Sequence, residues 1–172
     1  MRNWSIVVLT GVLALGGCGK KAEQDLGPDA RTITTDEGSL SYDKDTAVFE
    51  SEDGTSSAVF SSGGQAPAAE NLPSFVKLYP GLSIESSIQG NEPGKRGGMI
   101  IGSTTDNADK VVAFYKPFID DQRFSNRQDN QFGGTRMLVG ANGADETSLT
   151  VSVEPLDTGA RVSVIYAEKT DQ

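Results

Sequence analysis

The 172-residue chain contains no histidine. That absence removes Ser-His-Asp and Cys-His nucleophilic arrangements, and with them His-ligated zinc and iron sites. Positive charge is also scarce: 15 Lys and Arg stand against 24 Asp and Glu, a net charge of −9. A surface this acidic repels phosphate backbones, so no nucleic-acid partner is expected. It argues equally against an electrostatic attachment to anionic lipid. Cysteine occurs once, at position 18. The apolar run from Trp4 to Leu15 covers about a dozen residues, where a membrane-spanning helix needs roughly 20.

What surrounds that run is informative. Arg2 precedes it, and small residues close it directly before Cys18, which is the layout of a secretory signal. Its last four residues, Leu15-Gly16-Gly17-Cys18, resemble the bacterial lipobox. The resemblance implies that the Cys18 thiol receives a diacylglyceryl group, that the chain is cut before Cys18, and that the new amino end is acylated as well. The competing readings are an uncleaved transmembrane anchor and a secreted protein with a stray cysteine. The shortness of the run speaks against the first, and the placement of a lone cysteine after Gly-Gly against the second. Each buried methylene contributes about 0.8 kcal/mol, so two or three acyl chains on Cys18 hold a protein on a membrane almost permanently. A lipidated Cys18 leaves no thiol for disulfides, thiolate catalysis or Cys-based metal binding. Removing the first 17 residues leaves 155 with a net charge of −10, Arg2 being the one charge lost. That length suffices for one domain with a real core.

Composition then divides the chain. Residues 1–17 read as the signal peptide and 18–30 as a lipidated tether, polar and without periodicity. Gly19 and Lys20 follow the cysteine with no Asp directly after it. In Gram-negative lipoproteins such a beginning implies export to the periplasmic face of the outer membrane; in a Gram-positive host the sorting argument lapses. Residues 31–60 read as a β-hairpin segment, 61–71 as a linker, 72–168 as an α+β domain and 169–172 as a C-terminal tail.

The hairpin segment alternates short β-branched pieces with turns at Asp36-Glu37-Gly38 and Glu52-Asp53-Gly54. Its apolar residues are too few for a core of their own, so it must pack on something else or remain only partly ordered. Leu72-Pro73 through Tyr79-Pro80-Gly81 is expected to run extended across the edge of the core. Strands are expected over Leu82–Gln89 and Met99–Ser103, joined by a loop at Gly90–Gly98. Asp106 or Thr105 reads as a helix N-cap, followed by Val111, Phe114, Tyr115 and Phe118 at helical spacing. Pro117 should kink or end that helix near Lys116. Three further strands are expected at Thr135–Ala141, Ser148–Glu154 and Arg161–Ala167. The fold class is therefore α+β: an antiparallel sheet of about five strands with one helix packed on one face, preceded by small β-hairpins. Those hairpins either cover the opposite face or extend an edge.

Residues 72–168 also resemble a group of uncharacterised small exported bacterial α+β proteins. The resemblance rests on Pro73, the Tyr79-Pro80-Gly81 turn, Thr104-Thr105-Asp106 ahead of the helix, and Val111-Val112-Ala113-Phe114-Tyr115 within it. Pro117 departs from the long helix of that group. The resemblance implies a fold and an exported location, with no activity and no functional residues.

Ser74-x-x-Lys77 matches Ser-Lys catalysis in letters but lies in an extended, proline-bounded stretch. Asp43-Lys44-Asp45 and Asp106-Asn107-Ala108-Asp109 follow no EF-hand loop and read as turns and caps. Asp120-Asp121 reads as solvated charge rather than an acid–base pair. Gly97-Gly98 and Gly133-Gly134 lack the lysine and setting of a phosphate loop. No catalytic residue, cofactor or metal ligand is assigned, and the chain is read as a non-enzyme.

Two features could serve binding. Lys95 and Arg96 form a small basic tip on an acidic protein, a weak candidate for partner contacts. The amide-rich stretch from Phe124 to Phe132 reads as a connection anchored in the core by its two aromatics, or as the rim of a pocket or a cover for the sheet edge. The expected function is a non-catalytic interaction module, tethered to the cell envelope by Cys18 and docking on another envelope protein through a sheet face or edge. The alternative is a small-ligand- or lipid-binding lipoprotein with a pocket between helix and sheet, lined by Phe114, Phe118 and Leu149. A hydrolase would need shifted carboxylates meeting in one cleft.

Overall fold

A computed structural model describes residue 26 and residues 29–63, 72–143 and 146–170. The signal segment, Cys18, most of the tether and most of the 61–71 linker lie outside the described residues. Ten strands and one helix follow in order: β1 (Arg31–Thr35), β2 (Gly38–Tyr42), β3 (Thr46–Ser51), β4 (Ser57–Ser62), β5 (Ser83–Glu92), β6 (Lys95–Thr104), α1 (Ala108–Ile119), β7 (Asn126–Phe132), β8 (Thr135–Asn142), β9 (Thr147–Pro155) and β10 (Ala160–Lys169). All join in one antiparallel sheet of order β1-β2-β3-β4-β5-β6-β10-β9-β8-β7.

This corrects the expectation of about five strands. Two regions account for the difference, one left between two placements and one misread. The hairpins of the 31–60 segment are not a separate layer: β4 pairs with β5, Phe60 opposite Ile88, and so extends the edge. The polar stretch 126–132 is a strand rather than a loop, pairing along its whole length with β8. Only one of its flanking aromatics is anchored, since Phe124 is fully buried while Phe132 is 65 % exposed. The expected Gly90–Gly98 loop also shrinks, because β5 runs to Glu92 and β6 starts at Lys95. The last three strands lie where expected, longer by one, two and three residues in turn.

The helix caps itself one residue later than expected. Asn107, rather than Asp106 or Thr105, accepts a hydrogen bond from the Lys110 N–H at 2.9 Å. Asp109 in the first turn and Lys116 in the last complement the helix dipole. Pro117 does not end the helix near Lys116. Ala113, whose carbonyl loses its partner, lies on the exposed side where solvent can reach it, and the helix runs on to Ile119.

Helix α1 lies over β8, β9 and β10. Val111, Val112, Tyr115 and Ile119 face the sheet and are buried, at the 3.6-residue spacing of one helical stripe. Below them, Ile100, Leu138, Leu149, Val151, Val153, Val162 and Val164 are 0–1 % exposed. The segment before β5 closes the side of this core with Phe75, Val76 and Tyr79. Two glycines make room for aromatics on the helix side. A Cβ on Gly140 would stand 2.6 Å from the Phe124 ring, and one on Gly98 2.7 Å from the Tyr166 hydroxyl.

Candidate functional site

In an antiparallel pair, residues directly opposite one another share a face. Following the register outward from Ile100, Val164, Val151 and Leu138 defines the helix side. Their neighbours along each strand define the other side, on which no described element packs. One unbroken row there contains Phe60, Ile88, Met99 and Ile165, on β4, β5, β6 and β10. The adjacent row, two residues along each strand, contains Ala58, Gly90, Gly97 and Ala167. The open face thus presents a ridge of large apolar side chains beside a floor of the smallest residues.

The ridge is exposed: Phe60, Ile88 and Ile165 are 45 %, 42 % and 44 % accessible. Ile33, Leu40 and Phe49 continue the apolar surface onto β1, β2 and β3, opposite one another in register. Large apolar side chains gathered in one patch mark interaction sites far more than the same residues scattered singly. The floor forms a trough of about 390 Å³, closed at one end by Phe49 and rimmed by Glu92 and Lys95. Across all ten strands the two rows contain one charged side chain, Arg31 at the sheet edge, in a chain that is 23 % charged.

The side facing the helix offers less room. Phe114 stacks edge-on against Tyr79 and Tyr115 at 5.2 and 4.9 Å and tilts against Phe118 at 5.2 Å. Leu149 is fully buried beneath the helix. The positions expected to line a pocket between helix and sheet are therefore occupied by packing. Tyr115, buried and accepting a hydrogen bond from the Tyr79 N–H at 3.0 Å, has its phenol pushed up by burial. A cleft of about 250 Å³ remains where the C-terminal end of α1 meets β7 and β8, lined by Lys116, Asp120, Arg127, Asp129 and Leu138 among others.

The candidate charged residues fall as follows. Lys95 and Arg96 are strand residues rather than loop residues, and both are paired, Lys95 with Glu146 and Arg96 with Glu168. Glu146 holds the Lys95 ammonium above its ordinary range. The depressed carboxylates each have their own partners. Arg136 and then Lys116 lower Asp129, Lys110 and then Tyr79 lower Asp106, and the Arg123 backbone and side chain lower Asp121. Asp53 falls to about 2 because the Ser51 hydroxyl and the Thr55 N–H and hydroxyl bond to it in a turn. Asp43 likewise closes a turn, accepting from the Asp45 and Thr46 N–H groups at 2.8 and 2.7 Å. These carboxylates do not meet in one cleft, and among the described residues no three His, Cys, Asp or Glu side chains converge to hold a metal. Ser74 and Lys77 lie on the connection to β5, both exposed.

The open-face surface was missed in the sequence because alternation reports two faces without saying which is covered. Its signal was present in the register-matched apolar residues of the hairpins. A family model described as START domain-like matches residues 84–169, from β5 through β10 with α1 between. No curated protein and no solved structure matches the chain. Among the described residues no helix is long and apolar enough to cross a membrane.

Proposed function

This chain belongs to the START domain-like family through residues 84–169, half of its length, and from that premise we propose a non-catalytic binding module held on the bacterial cell envelope by acyl chains on Cys18. Domains of this family are usually binding modules, which favours that class over an enzyme. One observation carries the rest: on the side of the sheet opposite the helix, the ridge and trough form two rows that are apolar, nearly free of charge and uncovered by any described element. That face is the docking surface in this reading, for a protein partner in the same envelope. The lipobox supports the location.

Two substitutions test the two halves of the proposal. Cys18→Ala should abolish acylation and release the chain from the membrane; full membrane retention without incorporated fatty acid would contradict the anchor. Phe60→Asp should abolish capture of the partner by in-cell cross-linking and mass spectrometry, with an unchanged thermal melt. Undiminished capture by the folded variant would move the docking surface elsewhere.

A second reading, a small-ligand- or lipid-binding domain, draws support from the family match and from the cleft at the end of α1. That cleft, at about 250 Å³, is smaller than the roughly 300–1,000 Å³ of ordinary ligand pockets and is lined by ion pairs. A stoichiometric lipid or metabolite released from the purified protein on denaturation would favour it.

A further inference from the structure

We infer that the open face is built for a second copy of this chain, packed sheet on sheet, an inference that rests on the reading of that face as a docking surface. The ridge and the trough are complements of each other. A two-fold axis lying in the interface, across the strands and midway between the rows, exchanges them. It sets Phe60 over Ala58 of the second copy, Ile88 over Gly90, Met99 over Gly97 and Ile165 over Ala167. At each of these four strands a large side chain meets a small one, which is how packed layers interdigitate.

Strand β3 supplies an independent check. There the sizes are reversed, Ala47 in the ridge row and Phe49 in the trough row. The same axis places Phe49 over Ala47 of the second copy, so the complement holds where the pattern inverts. On β2 both positions are large, Tyr42 and Leu40, so the complement runs from β3 through β10. An isologous interface requires this self-complementarity.

Charge restricts where a second copy can approach. Two mature chains that each carry −10 repel, and the two rows are where they approach without bringing like charges together. Five strands at about 4.8 Å, β3 to β6 and β10, and the roughly four residues at about 3.4 Å that two adjacent rows occupy give a footprint near 300 Å² a copy, the size of a weak contact that co-anchoring must assist. Aligned sheets pack about 10 Å apart at a mutual angle of about 30°, so contact centres on these strands. Anchoring both copies to one membrane raises their effective concentration, which suits an interface of this size.

The test uses two full-length chains with different tags, co-expressed on the membrane and treated with a short bis-maleimide. One carries Ile88→Cys and the other Gly90→Cys, a position where a Cβ meets nothing closer than the Ser57 carbonyl at 3.7 Å. A mixed dimer is expected from this pair, and none from Ile88→Cys with Ala113→Cys on the outer side of α1. Adding Phe60→Asp to both chains should lower the yield about tenfold or more, as loss of a central anchor does. No mixed dimer, an equal yield with Ala113→Cys, or a yield unmoved by Phe60→Asp would overturn the inference. A photoreactive residue at Ile88 separates the two levels of the reading. Capture of a different protein without self-capture removes the second copy and leaves the docking face; capture of nothing removes both.

Discussion

Val164 and Ile165 are neighbours on β10, equally apolar, and they point to opposite faces of one sheet. Val164 is wholly buried under the helix side of the core, whereas Ile165 is 44 % exposed on the open side. The difference is one of cover, not of composition. On the helix side, α1 and the 72–82 segment bring Val111, Tyr115, Phe75 and Tyr79 down onto the strands. On the open side the same kind of side chain stands uncovered. Apolar residues at both kinds of position therefore do different work: one set holds the domain together, and the other is free to meet a partner.

Substitution of these two neighbours should expose that contrast most strongly. Val164→Asp buries an unpaired carboxylate and should cost more than about 4 kcal/mol, enough to unfold a domain of ordinary stability. Ile165→Asp should cost about 1 kcal/mol or less in urea denaturation, its effect appearing in partner capture instead. Equal destabilisation by both would erase the distinction between the faces.

The next effects lie wholly on the helix side. Phe124→Ala empties a fully buried site that Gly140 is shaped to receive, and should cost about 3–5 kcal/mol in urea denaturation without altering the open face. Tyr115→Phe leaves the Tyr79 N–H without its acceptor and should cost about 1–3 kcal/mol by the same measurement.

The smallest effect concerns pH. With no histidine, the chain should melt at nearly the same temperature from pH 6 to 8. Its depressed carboxylates, Asp129 and Asp53 among them, hold fewer protons folded than unfolded in the acid range. Their contribution is complete above the unfolded values near 4 and is lost as pH falls through the folded ones, toward about 2 for Asp53. The melting temperature should therefore decline only below about pH 4. A transition near pH 6 to 7 would require a group that this reading does not contain.

Much of the sheet was legible from alternation. Leu149/Val151/Val153 and Val162/Val164/Tyr166 marked β9 and β10 because one face of each is buried and the other is wet. Strand β7 was illegible for the opposite reason: at the sheet edge, most of 126–132 is exposed on both sides, so no apolar period is imposed. The union of β1–β4 with the rest depends on β4 meeting β5 across the linker, a contact that local pattern does not encode. Pro117 misled because its cost depends on whether water can reach the freed carbonyl, a property of the folded surface. Lys95 and Arg96 were visible as charges, but their partners Glu146 and Glu168 are brought to them only by the sheet. The open face needed the register itself, since the ridge and trough form only when residues from β4, β5, β6 and β10 are aligned.

The most direct measurement of the face assignment is site-specific photo-cross-linking of the membrane-anchored chain, comparing a photoreactive residue at Ile88 with one at Ala113. Both positions are exposed, on opposite sides of the molecule. Discrete adducts from Ile88 and none from Ala113 are the expected result. Adducts confined to Ala113, or of equal yield from both, would contradict the open face as the binding surface.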